Sequence, residues 1–199
     1  ASAHKYLQDA LADAENGDEI WVAEGTYKPD QGAGKTAGDR TASFNLVSGV
    51  GMYGGFLGTE TIRDQQGDSN KTILSGEIDS NSSLWSLHVV VAENLDSNTT
   101  LAGFSITKGN ANGESTFGKG GGLYLHHFTA KTIIIENISF AENYAKSGGG
   151  AYVSDSNGGI TFKNCIFSKN QADNGGAIFN SGGTPTWGAA RNEFLENSK

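Results

Sequence analysis

The chain has 199 residues, 29 of them glycine and 2 proline, with a formal net charge of −8 and a single cysteine. That charge balance lacks the clustered Lys and Arg a nucleic-acid surface needs, and it favours cations, neutral glycans or protein partners. One cysteine excludes a disulfide framework, Gly without Pro excludes collagen and Pro-rich linkers, and no run of ~18 apolar residues is present to span a membrane.

The stretch 6–14 places Leu7, Leu11 and Ala14 on one face together with Ala3, which predicts a short amphipathic helix ended by Asn16-Gly17 as a C-cap. Ahead of the first strand, such a helix would cover the otherwise open apolar end of a stacked sheet. Apolar and β-branched runs follow at 20–23, 43–47, 51–56, 71–74 and 87–91. Turn residues separate them, so each predicts a strand.

From residue 99 the chain repeats. Phe140-Ala-Glu-Asn143 recurs as Phe167-Ser-Lys-Asn170 and Phe194-Leu-Glu-Asn197, 27 residues apart each time. A degenerate copy, Ile106-Thr-Lys-Gly109, precedes Phe140 by 34 residues, and the excess of 7 fits an insertion around 112–117. Ile133, Ile135, Ile138 and Phe140 align with Ile160, Phe162, Cys165 and Phe167, and with Thr99, Leu101, Phe104 and Ile106. The alternation breaks once per copy, at Asn137, Asn164 and Gly103, residue types that tolerate a left-handed backbone, so a bent corner is expected there. Glycine clusters at 120–122, 148–150 and 175–176 follow each copy.

A unit of this size holds about three short strands and cannot bury its apolar face alone, so units stack with like residues over like at ~4.8 Å. The runs are too short and too Gly-punctuated for an α-solenoid, and a propeller blade needs ~40 residues. The expected fold is all-β, a right-handed parallel β-helix with a short N-terminal capping α-helix. One domain is expected over 1–199: a cap at 1–17, irregular coils at 18–98 and regular coils at 99–199, within a longer protein.

The run Gly17-Asp-Glu-Ile-Trp-Val-Ala-Glu-Gly-Thr-Tyr27 resembles the opening of bacterial right-handed β-helix repeat proteins of the pectin-lyase-like class. So do Gly51-Met-Tyr-Gly-Gly-Phe-Leu-Gly-Thr-Glu60, Thr72-Ile-Leu-Ser-Gly76 and His88-Val-Val90. The Phe-x-x-Asn repeats and Gly175-Gly-Ala-Ile178 are similar to those of polymorphic outer-membrane autotransporter adhesins. The resemblance implies export and a class that holds adhesins, polysaccharide lyases and glycoside hydrolases. The last coil departs from the pattern, with Trp187, Ala189, Arg191 and Asn192 in place of the expected set and one residue fewer before Phe194.

Two nucleotide-like motifs carry no site. Gly49-Val-Gly51-Met-Tyr-Gly54 is followed by Gly55 and Gly58 where a helix should open, and Gly34-Lys35-Thr36 lacks the first glycine of a phosphate loop. Asp64, Asp68, Glu77 and Asp79 are candidate Ca²⁺ ligands, since hard oxygen donors suit that ion; a solvated acidic loop is the alternative. Lyases of the resembled class pair such a site with an Arg or Lys base, and Arg40 and Arg63 are the Arg residues of the first half. His126 and His127 are adjacent on a strand, so they are expected on opposite faces as surface or turn residues. His88 reads as structural and Cys165 as an inert core thiol. Trp85, Trp187 and the tyrosines after the glycine clusters either stack on sugars or belong to interior ladders.

The expected function is a secreted or cell-surface (extracellular) module with a structural and adhesive role, binding a protein or glycan partner, with no cofactor other than calcium. The alternative is a polysaccharide-active enzyme, lyase or glycoside hydrolase, or its inactive sugar-binding relative. A groove lined by two or more carboxylates, with a basic residue within hydrogen-bond reach, would favour the alternative. The C-terminal edge at 187–199 is expected to be continued by further coils or covered by another subunit.

Overall fold

The computed structural model describes residues 3–65, 67, 71–130, 132–156, 158–182, 184–187 and 192–199. Short runs of Ile, Val, Thr and Phe, closed every few residues by Gly, Asn or a turn, form short strands that lie in three principal sheets. The first sheet holds Glu19–Ala23, Gly51–Phe56, Thr99–Ala102, Ile133–Glu136, Gly159–Lys163 and Thr184–Trp187. The second holds Gly25–Tyr27, Thr72–Ser75, Ser105–Thr107, Ser139–Ala141, Ile166–Ser168 and Glu193–Leu195. The third holds Phe44–Asn45, Val90–Glu93, Leu123–Phe128, Ala151–Ser156 and Ile178–Ser181. A narrow fourth strip joins Asn110–Ala111, Tyr144–Ser147 and Gln171–Asn174.

The ladders are parallel, and the chain visits the sheets in one cyclic order. Each strand therefore pairs with its counterparts one coil earlier and one coil later. Among the described residues the architecture is predominantly β with one α-helix, compatible with a β-helix or other solenoid.

The predicted alignment holds residue by residue. Ile133 lies between Thr99 and Ile160, Ile135 between Leu101 and Phe162, and Phe140 between Ile106 and Phe167. The rings of Phe140 and Phe167 stack with centroids 4.7 Å apart and planes 10° apart, one strand spacing. Both are fully buried. Asn137 and Asn164 adopt left-handed backbones at φ 54 and 53, over Gly103 at φ 80, and make the corner between the first two sheets.

The Asn of each Phe-x-x-Asn forms an amide ladder. Asn143 Nδ2 donates to Asn170 Oδ1, and Asn170 Nδ2 to Asn197 Oδ1, each at 3.0 Å. The same nitrogens also donate to the carbonyls of Ile106 and Phe140 at 3.0 and 2.9 Å. In the degenerate copy Gly109 stands where the Asn would be, and its N–H donates to Asn143 Oδ1 at 3.0 Å. A Cβ there would lie 1.9 Å from the Gly121 carbonyl oxygen, so only glycine fits. The expected insertion is a 3₁₀ turn at Ser115–Gly118.

The helix spans Leu7–Asp13, buries Leu7 and Leu11, and packs against Glu19–Ala23 and Phe44–Asn45. Buried Gln8 donates from Nε2 to the carbonyls of Pro29 and Ser43 at 2.6 and 3.0 Å, which ties the helix to the loop and strand beside it. Gly17 does not close this helix, because Ala14 is already extended. Its N–H donates to Gly49 O at 3.0 Å, so its φ of 99 serves the junction with the next coil.

Other expectations need correction. The strand Gly25–Tyr27 was not anticipated, and the strand expected at 87–91 forms at Val90–Glu93. Val89 instead belongs to the preceding corner, its N–H bonded to Gly121 O at 3.1 Å. In the last coil Trp187 pairs with Phe162 rather than Ile160, while Phe194 keeps its place beside Phe167. Two more residues therefore separate Trp187 from Phe194 than separate Phe162 from Phe167. The stretch before Trp187 is two residues shorter in compensation, so the coil from Phe167 to Phe194 keeps its 27 residues and is not one residue short.

Candidate functional site

The edge strand Glu19–Ala23 turns Val22 into the core and leaves Glu19 and Trp21 outward. Trp21 is 37% exposed, and its indole stacks on Phe56 at 5.2 Å with planes 5° apart. The indole Nε1 donates to Glu19 Oε2 at 2.9 Å. Glu19 Oε1 accepts from Arg63 Nη1 at 2.7 Å, and Arg63 also donates to Tyr53 Oη at 3.1 Å. Its guanidinium lies 4.9 Å from the Tyr53 ring centre. These contacts hold the indole and both charges in fixed places.

Between this strand and the N-terminal helix lies a cleft of about 670 Å³ lined by His4, Tyr6, Asp13, Glu19, Trp21 and Glu60, among others. Glu60 accepts the N–H groups of Leu57, Gly58 and Thr59 at 2.6, 2.8 and 2.9 Å. Those bonds, Leu57's first, hold its carboxyl below the usual carboxylate range, so it stays ionised at neutral pH. An aromatic face beside fixed carboxylate acceptors suits the apolar face and hydroxyls of a sugar ring. Asp13, Asp18, Glu19 and Glu60 all line the cleft, and that charge disfavours a uronate. Sequence reasoning missed this site. Its signal was a Trp at an outward position, two residues from a Glu, in an alternating strand.

Of the predicted calcium ligands, Asp64, Glu77 and Asp79 lie among the described residues. Asp64 is exposed in the 3₁₀ turn Arg63–Gln65. Glu77 accepts Lys108 Nζ at 2.5 Å, which holds its carboxyl below the usual range. Asp79 Oδ1 accepts the N–H of Asn81 at 2.7 Å. These three do not converge as a metal-binding set among the described residues, and Asp68 lies outside them. Arg40 clamps neighbouring coils, donating to the carbonyls of Trp85 and Asn110 at 2.9 and 3.1 Å and to Asn112 Oδ1 at 2.9 Å. The glycine motif at 49–54 runs into the strand Gly51–Phe56, with no helix to cradle a phosphate.

His88 is buried with Nδ1 3.0 Å from Gly120 O, and burial lowers its pKa. It heads a row of stacked rings, with Tyr124 at 5.2 Å, Tyr152 at 5.8 Å beyond it and Phe179 at 5.6 Å after that. Tyr124 and Tyr152 are buried, so these tyrosines are ladder residues rather than sugar platforms. Trp85 is half-buried, its Nε1 donating to Asp79 O at 3.0 Å, and the Trp187 side chain lies outside the described residues. Cys165 is fully buried, and burial pushes its thiol up to about 11.

The histidine pair contradicts the opposite-face expectation. His127 has a left-handed backbone at φ 48, which breaks the strand alternation and swings its ring to 3.9 Å from that of His126. An acidic neighbour also arrives from the previous coil, because His126 is in register with Glu93. One ligand atom from each of the three lies within 4.8 Å of the others.

The chain matches no protein-family model, and comparison with curated proteins and with solved structures returns no match.

Proposed function

We propose that this chain is a right-handed parallel β-helix module of the pectin-lyase-like class from a secreted or cell-surface protein, structural and adhesive in role, whose Trp21 cleft binds a neutral glycan. The cyclic visiting of parallel sheets supports the helical reading, and strand–crossover–strand connections between parallel strands are right-handed in about 98% of cases. The observation that carries the binding function is the half-exposed Trp21 indole, backed by Phe56 and bonded to the Glu19 carboxylate, with Glu60 lining the same cleft. Calorimetry against a panel of neutral and uronate oligosaccharides tests it. A neutral glycan is expected to bind, with Trp21→Ala weakening it at least 10-fold, or ~1.4 kcal/mol. Binding restricted to uronates, or undiminished in Trp21→Ala, would refute the reading.

A second reading, a polysaccharide-active enzyme, is favoured by one observation: the cleft has several carboxylates, and Arg63 lies 2.7 Å from Glu19. Against it, Glu60 is held ionised and cannot act as a general acid at neutral pH. Release of new reducing ends or unsaturated products from a bound polysaccharide would select the enzyme. Calcium at Asp64, Asp68, Glu77 and Asp79 is a further proposal, supported by the hard oxygen donors. A rise in Tm on adding Ca²⁺, reversed by chelator, would support it; a flat melt leaves a solvated segment. Phe194 and Leu195, 51% and 49% exposed on the last strand of the second sheet, form an apolar edge suited to pairing with another subunit.

A further inference from the structure

The third sheet ends each coil at a corner where the chain turns toward the first sheet. Asn94 occupies that corner in one coil at φ 57, and His127 occupies the equivalent position in the next at φ 48. Asn and His are among the few residues with a Cβ that accept this backbone. The corner resets the alternation: Leu125 and Phe128 both point into the core, although strict alternation would put Phe128 outside. Two consecutive side chains, His126 and His127, are thereby left on the outer side. The parallel register then sets Glu93 beside His126.

We propose that Glu93, His126 and His127 form a binding site for a divalent late transition-metal cation of the Zn²⁺, Ni²⁺ or Cu²⁺ class. Two imidazoles and one carboxylate are the donors such ions prefer over the all-oxygen sets of Ca²⁺ and Mg²⁺. Around an ion with bonds of ~2.0–2.1 Å, tetrahedral donor atoms lie about 3.4 Å apart. One donor atom from each of the three side chains already lies within 4.8 Å of the others, close to that spacing.

The surroundings orient the donors. His126 Nδ1 is 2.9 Å from Ser154 Oγ on the following coil, so a metal on Nε2 would fix Nδ1–H as the donor to that hydroxyl. Tyr124 stacks against the same ring at 5.6 Å. Glu93 and His127 are exposed and His126 is half-buried, so the ion would be reached from solvent and keep positions for water or a partner's ligand. The site joins two coils through their outer surface. It is separate from the Trp21 cleft and stands whether or not that cleft binds sugar.

Zn²⁺ titrated calorimetrically into the chelator-treated 199-residue chain tests the proposal. The wild type should take up one equivalent, and Co²⁺ in its place should give d–d absorption bands. His127→Asn keeps a residue that suits the left-handed corner, as Asn94 shows one coil earlier, and Glu93→Gln is a surface change. Each should weaken Zn²⁺ at least 10-fold and bleach the Co²⁺ bands. Ser154→Ala should weaken Zn²⁺ about 10-fold through loss of the orienting bond. His4→Ala, which removes the other surface histidine, should bind as the wild type does. No saturable uptake by the wild type, or one equivalent undiminished in either ligand variant, overturns the proposal.

Discussion

Asn170→Ala should be among the costliest substitutions in the chain. The Asn170 side chain is fully buried and makes four hydrogen bonds. Its Oδ1 accepts from the Asn143 backbone N–H at 3.1 Å and from Asn143 Nδ2 at 3.0 Å. Its Nδ2 donates to Phe140 O at 2.9 Å and to Asn197 Oδ1 at 3.0 Å. At ~1 kcal/mol net per bond the sum is about 4 kcal/mol, and buried partners left unsatisfied push it upward. Asn170→Asp keeps the oxygen that accepts two bonds but loses the nitrogen that donates two, and it places a carboxylate against a carbonyl oxygen. It should therefore be at least as damaging at pH 7. Its folded-state pKa would be raised, so the folded form would bind more protons than the unfolded one, and the variant should regain stability as pH falls. Urea unfolding at constant m-value, read by circular dichroism at pH 7 and pH 4.5, measures both effects. A loss below about 1 kcal/mol for Asn170→Ala, or an Asp variant equal to wild type at pH 7, would refute the ladder account.

Phe167, fully buried between Phe140 at 4.7 Å and Phe194 at 5.3 Å, should lose ~3–5 kcal/mol on truncation to Ala. Half-exposed Phe194 should lose about 1–1.5 kcal/mol, and equal losses in urea melts would show that the rings are not stacked as described. His88 has its pKa lowered by burial, so the unfolded chain binds its proton more readily; stability contributed by this site is full above about pH 6.5 and falls below it. Melts from pH 7.5 to 5 should show that slope, and His88→Phe should flatten it. The Cys165 thiol, pushed up to about 11 by burial, should resist a thiol reagent at pH 8 in the native chain and react fully in urea; rapid native reaction would contradict its placement.

The regular coils were readable because one side-chain set recurs at a fixed interval and only stacking satisfies it. Phe140 over Phe167 and the left-handed corners at Asn137 and Asn164 follow from that. The first half was read less well because its coils differ in length. The strand Gly25–Tyr27 is only three residues with no apolar alternation, and Val89 carries its apolar pattern across a corner. Both candidate sites escaped for one physical reason. Trp21 owes its platform to Phe56, which the parallel pairing of its strand brings near, and His126 owes its acidic partner to Glu93. A linear motif holds neither juxtaposition. The alternation rule failed at His127 because the corner residue adds a turn of the backbone, and Asn94, one coil earlier, was the available clue.

Both sites exist only if successive coils lie side by side in the stated register. Disulfide trapping tests that most directly. Ile134 and Thr161 are partners on adjacent strands of the first sheet, both half-exposed, one strand spacing apart. That separation suits a disulfide. The double variant Ile134→Cys/Thr161→Cys should oxidise within the monomer to a cross-linked form with altered gel mobility. Ile134→Cys/Lys163→Cys, two residues out of register, should stay reduced under the same conditions. Closure of the second pair as readily as the first, or failure of the first to close at all, would contradict the coil alignment.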